Sequence, residues 1–112
     1  MHELSICNSI GGIVSKHAAG RQVRTVHLRI GKLRQIVPDT LVYCWSLVSE
    51  ETVLAGSRLE IESVPAAIHC TQCGHDQVLA EALFVCDGCG GSRVEIVSGE
   101  EFLITSLELA EA

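Results

Sequence analysis

Leu4, Cys7, Gly11, Val14 and Ala18 recur at the spacing of one helix face, and Ile6, Ile10, Ile13 and His17 form a second stripe beside them. The pattern predicts a helix over residues 3–18, buried across a wide arc. Gly11-Gly12 inside it costs about 1 kcal/mol per Gly relative to Ala, which points to close approach of another backbone there. Gly20 is a stop signal. Strict alternation follows, with Val26, Leu28 and Ile30 on one side and Thr25, His27 and Arg29 on the other, as in a half-buried strand over 23–30 that Gly31 ends. Pro38-Asp39 suits the first turn of a second helix. Proline loses no needed N–H there, and an acid favours the positive end of the helix dipole. Leu41, Cys44, Trp45 and Val48 continue that helix. Residues 58–64 alternate again through Leu59 and Ile61, and residues 102–109 give a third strand with Leu103, Leu107 and Leu109 on one face.

Between the second and third strands the pattern changes. The stretch opens after Pro65, closes at Ser98-Gly99, and holds four of the six cysteines and half of the ten glycines. It reads as an insertion. The predicted fold is α+β: a small β-sheet with two helices on one face and an inserted four-cysteine zinc-knuckle module. The expected division is residues 1–65 with 99–112 as one domain and 66–98 as the module.

Composition narrows the function classes. Aromatic residues make up only 4% of the chain, so the core must be aliphatic. The formal net charge of −6 argues against non-specific nucleic-acid binding, which needs clustered Lys and Arg to displace counterions. Met1-His2-Glu3 lacks the basic start of a signal peptide, and no run approaches the apolar length of a membrane span. The expectation is a cytoplasmic protein with no membrane partner. In that compartment paired CxxC motifs read as metal ligands sooner than as disulfides.

In Cys70-Thr71-Gln72-Cys73-Gly74 and Cys86-Asp87-Gly88-Cys89-Gly90, 12 residues separate the two CxxC pairs. Two residues between thiolates let both sulfurs converge on one ion, and the glycine after each pair permits a tight turn whose amides point at the sulfurs. Four thiolates with no open position make a structural tetrahedral site for zinc. Iron is the chemical rival, since such knuckles also suit rubredoxin-like centres. Large apolar residues are few in the module, so the binding energy of the metal is its folding energy. His69 and His75 flank the first knuckle. They read as exposed turn residues, with imidazole-for-thiolate exchange as the sharper alternative; the second knuckle has no such neighbour.

At the other end, a free amine on Met1, the His2 amide nitrogen and its imidazole can close fused chelate rings on one metal. The amide deprotonates only for ions such as Ni(II) or Cu(II) that accept square-planar nitrogen. Glu3 adds a carboxylate. Met1-His2-Glu3-Leu4-Ser5, the following helix, Ile30-Gly31-Lys32-Leu33, Pro38-Asp39 and the paired knuckles together resemble the HypA/HybF family of hydrogenase-maturation nickel metallochaperones, over essentially the whole chain. The resemblance implies transient Ni(2+) at the N-terminus and a separate structural Zn(2+). It implies delivery to the [NiFe]-hydrogenase large subunit with the GTPase HypB, and in some members supply to urease. By position it makes His2 the essential nickel ligand, helped by Met1, with Glu3 beside it and Asp39 at a carboxylate position that closes over nickel. Asp39 also reads as an ordinary helix-start acid. A homodimer stays open.

An enzyme is not expected. Glu50-Glu51 and Glu100-Glu101 are adjacent acids that point apart, and no nucleophile elbow, phosphate loop or HExxH motif occurs. Cys7 and Cys44 sit on apolar helix faces as small hydrophobes, and His17 and His27 read as partly buried structural residues. The competing functions are a zinc-ribbon interaction module and a rubredoxin-like iron protein. A nucleic-acid ribbon needs a basic face, yet Arg93 is the one Lys or Arg in 66–97.

Overall fold

A computed structural model describes residues 2–111. The chain runs α1 (His2–Ala18), β1 (Val23–Gly31), a 3-10 turn (Lys32–Arg34), α2 (Pro38–Val48), β2 (Arg58–Val64), β3 (Ala67–Cys70), β4 (Asp76–Val78), β5 (Val94–Ser98) and β6 (Phe102–Leu109). It divides into two compact units. Unit 1 comprises Met1–Arg29, Ile36–Glu62 and Leu103–Ala112; unit 2 comprises Ile30–Gln35 and Ser63–Phe102. Among the described residues no helix is long and apolar enough to cross a membrane.

Local chemistry sets the helix ends. Ala19 and Gly20 both turn left-handed, at φ 51° and 87°, which closes α1 where the glycine signalled it. Pro38 opens α2 after an extended Val37 that has no capping side chain of its own. The Val37 amide donates instead to the Glu3 carboxylate, 3.2 Å away.

The first sheet has the order β2-β1-β6. Ala110 N donates to Gln22 O and Gly31 N to Glu101 O, each at 2.8 Å, so β1 and β6 run antiparallel. Arg24 and Thr25 share a pocket with Arg58 at the strand starts, and Arg29 pairs with Glu62 at the ends, so β1 and β2 run parallel across the α2 crossover. The sheet is therefore mixed, with β1 in the centre. The buried apolar side chains of unit 1 come from α1 (Cys7, Ile10, Val14, Ala18), α2 (Leu41, Trp45), β1 (Val23, Val26, Leu28), and Leu54 and Leu59; Thr25, expected on the open face of β1, is buried too. The Trp45 indole N–H donates to Ser57 Oγ at 2.8 Å, so the largest buried side chain leaves no polar group unpaired.

Three sequence expectations need correction. The buried arc of α1 is narrower than two stripes: Ile13 is 50% exposed, Leu4 38%, and His17 is exposed. A small domain lacks the interior to cover every apolar position. Gly11 approaches side chains, not a backbone; a Cβ there would sit 3.5 Å from Leu54 and 3.6 Å from Val48, while Gly12 faces open space. On β6, Leu103 is exposed, and Leu107 and Leu109 are half-buried.

Unit 2 carries a second sheet of order β4-β3-β5, antiparallel throughout. Ala67 faces Val78 and His69 faces Asp76; on the other side Ile68 faces Ile96 and Cys70 faces Val94. Its apolar cluster is Ala66, Ile68 and Leu79, with Leu33 and Val94 packed against them. Gly31 and Gly99 meet backbone to backbone. A Cβ on Gly31 would stand 2.0 Å from the Gly99 carbonyl carbon, and Leu33 N donates to Gly99 O at 2.8 Å. Only glycine fits there.

Candidate metal centre

β3 delivers Cys70 to the end of unit 2, where the chain turns through Cys73 and Gly74. The second pair repeats the turn at Cys86 to Gly90. Gly74 N donates to Cys70 O at 2.9 Å and Gly90 N to Cys86 O at 2.8 Å, with φ of 80° and 73° at the two glycines. Cys73 N points at Cys70 Sγ (3.4 Å) and Gly88 N at Cys86 Sγ (3.3 Å), partly neutralising thiolate charge. The knuckle geometry expected from CxxCG is present in both copies.

The two knuckles converge. Cys70 and Cys89 sulfurs lie 3.7 Å apart, Cys73 and Cys86 sulfurs 3.5 Å apart, and all four ligand atoms fall within 4.8 Å of one another. A tetrahedron with metal–sulfur bonds of about 2.3 Å has edges of about 3.8 Å, so the quartet fits one four-coordinate ion. Cys70 and Cys86 are buried, while Cys73 and Cys89 reach the surface. The amide of Cys73 holds the Cys70 thiol low, at about 6. The His75 amide pulls Cys73 down, but the neighbouring Cys86 thiol, burial and the other sulfurs push it up to about 12. One thiolate thus forms readily and resists formation of the next, which is the situation a divalent cation relieves.

His69 is engaged elsewhere: its Nδ1 lies 2.6 Å from Asp76 Oδ1, and that hydrogen bond raises its pKa above 6.5. His75 packs over the second knuckle, its Cβ 3.4 Å from where a Cβ on Gly88 would stand. A residue that sequence reasoning passed over is Gln77. Its amide donates to Val85 O (3.3 Å) and accepts from Asp87 N (2.8 Å), fastening the second knuckle's approach to β4. Nothing in a lone glutamine of a short strand signals this.

Of the N-terminal residues, Met1 lies outside the described residues. His2 is exposed at the start of α1, and Asp39 is exposed in the first turn of α2. Glu3 ties α1 to Val37, and donation from that amide lowers its carboxyl pKa. Among the described residues the sulfur quartet is the one group of three or more potential ligand side chains that converge. His2, Glu3 and Asp39 form no such set. Cys7 is a buried thiol donating to Leu41 O at 3.3 Å, and burial pushes it up to about 11, which suits packing and not nucleophilic chemistry. Cys44 is half-buried.

A mixed sheet with two helices, joined to a sulfur-cornered module, defines a small metal-centred α+β protein. The family model described as hydrogenase/urease nickel incorporation, metallochaperone, hypA matches residues 1–109, and the chain belongs to that family. The hydrogenase maturation factor HypA of Desulfosudis oleivorans is 38% identical, covering 99% of this chain and 100% of the relative. That of Trichormus variabilis is 40% identical, covering 99% and 97%. The fold matches the solution structure of the Ni metallochaperone HypA from Helicobacter pylori with a TM-score of 0.64 at 23% identity, covering 96% of each chain. It matches a second HypA solution structure with a TM-score of 0.68 at 27% identity, covering 98% and 97%.

Proposed function

We propose that this chain is a nickel metallochaperone: it takes up Ni(II) at its N-terminus and hands it on for maturation of a [NiFe]-hydrogenase, while a separate zinc ion holds unit 2 together. The observation that carries the reading is family membership over residues 1–109 combined with a saturated sulfur quartet. Four thiolates around one ion leave no open position for cargo, so cargo binds elsewhere. Met1 and His2 supply an amine, an amide nitrogen and an imidazole on one short segment, and nitrogen-rich ligation favours Ni(II). Glu3 and Asp39 are carboxylates near the starts of the two helices, and we assign them supporting roles at the nickel site. Cys70, Cys73, Cys86 and Cys89 would hold the zinc. The partners in this reading are the hydrogenase large subunit and the GTPase HypB, in the cytoplasm, with urease as a second recipient.

The test is calorimetric titration of Ni(II) into the metal-loaded protein, its His2→Ala variant, and a form extended by one Gly before Met1. The expected result is loss of specific nickel binding in His2→Ala with full zinc content, because an exposed chain-end residue costs no packing. The extended form, whose amine has become an amide, should also bind far more weakly and lose square-planar nickel absorption. Unchanged affinity in both forms would move the site away from the terminus. A coloured, iron-bearing protein on metal analysis would replace zinc by the rubredoxin-like reading.

A further inference from the structure

Unit 2 carries large apolar side chains that are exposed. Val78 is 68% exposed, Leu83 65% and Val97 64%. Val78 is a ridge between two open grooves. The first, of about 430 Å³, crosses the sheet past Ala67 to Val97. The register break between Ala67 and Ile68 leaves Val97 on the groove with its Ala67–Val78 cross-strand pair. The second, of about 310 Å³, runs from Val78 to Leu83 and Val85. These side chains face solvent around two grooves that share Gln77 and Val78, an arrangement suited to an interaction site.

The charges around the patch say what covers it. Asp76 borders the first groove, and Glu81 and Asp87 border the second. Arg93 is the one Lys or Arg in 66–98, His69 is already paired with Asp76, and four thiolates around a divalent ion would carry a further net negative charge. Such a rim repels nucleic acid, anionic lipid and a second copy of this acidic chain alike. We propose that the Val78 ridge and its two grooves dock a basic segment of a partner protein, one that sets large apolar side chains into the grooves and Lys or Arg against Glu81 and Asp87. The surface is independent of where nickel binds, so it stands or falls apart from the cargo assignment.

The probe is a short synthetic peptide alternating Lys and Leu, titrated into the isotope-labelled, metal-loaded full chain without nickel. Amide shifts should concentrate at Gln77–Val85 and Ile96–Val97, and a peptide with Glu in place of Lys should not bind. Val78→Ser should weaken binding by about fivefold or more, the effect of losing a central apolar anchor. Ile13→Ser, at another exposed apolar position on α1, should leave binding unchanged. Metal content reports whether each variant keeps unit 2 folded. Shifts centred elsewhere, equal binding of the Glu peptide, or wild-type affinity in a metal-loaded Val78→Ser protein would each overturn the proposal. Self-association of the free chain that Val78→Ser abolishes would overturn it in favour of a second copy.

Discussion

Unit 1 buries a continuous set of side chains running from Cys7 and Ile10 through Leu28 and Leu41 to Trp45, whereas the apolar cluster of unit 2 is Ala66, Ile68 and Leu79 with two half-buried neighbours. Unit 1 has two helices that pack on each other and a three-stranded sheet. Unit 2 has strands of four, three and five residues. Ordering a chain costs conformational entropy in proportion to its length, whatever the size of its core. The first unit meets that cost with hydrophobic burial; the second has a smaller apolar cluster beside four sulfurs that could hold a metal. The contrast predicts two kinds of stability in one chain, one sensitive to cavities and one to metal.

The largest expected break of this contrast is metal removal. A strong chelator, or Cys86→Ala, should abolish amide protection across β3, β4 and β5 while α1, α2 and β1 stay protected. Structural zinc sites supply on the order of 10 kcal/mol or more of folding free energy. Persisting protection in β3 of the metal-free protein would show that the small cluster suffices. The reverse experiment is Leu41→Ala. Leu41 is fully buried in unit 1, and truncation should cost about 2–5 kcal/mol, read from the denaturation midpoint. Metal content should not change; parallel metal loss would mean that the two stabilities are one.

A finer probe is Gly31→Ala. The added Cβ meets Gly99 backbone at 2.0 Å, which no rotamer can relieve, so destabilisation of about 1–3 kcal/mol is expected, with exchange of the Leu33 amide accelerated. Wild-type exchange there would mean that the backbones separate freely. Smallest is the effect of pH on two partly exposed groups, one in each unit. Glu3 has a depressed pKa from the Val37 amide, so its contribution is present above 4.5 and lost as pH falls through the depressed value. His69 is raised by Asp76, so its contribution is complete below 6.5 and lost as pH rises through the raised value. Asp76→Asn should return the His69 titration toward its ordinary range without affecting Glu3. An unmoved titration would remove Asp76 as the cause.

Much of this architecture is legible in the residues. Pro38-Asp39 marks the start of α2, Gly20 the end of α1, and alternation the extents of β2 and β6, because these signals act within one turn or one pleat. The knuckles are legible for the same reason, since a thiolate pair and its following glycine form a local unit. The strands of unit 2 are not. Asp76–Val78 is too short to show a period, and the register break beside Ala67 interrupts the alternation of Val94–Ser98. Nor does an apolar letter reveal exposure: Ile13 and Leu103 look like core residues and face water. The convergence of the four sulfurs follows from spacing, but the Glu3–Val37 tie and the Gln77 clasp join residues with no local relation.

β6 pairs with β1 although all of residues 65–101 intervene between it and β2, and it is the last of these elements to leave the ribosome. The sheet of unit 1 therefore stays incomplete throughout synthesis of unit 2. A disordered connection must be closed at an entropic cost that rises by about 0.6 kcal/mol for each doubling of its length. Once the sulfurs have gathered around an ion, most of that connection is already compact and the free chain left to close is short. In a chain whose sulfurs had not gathered, the loop left to close would be longer and the β1 edge would wait longer for β6, and an unpaired edge is a strand geometry prone to mispairing.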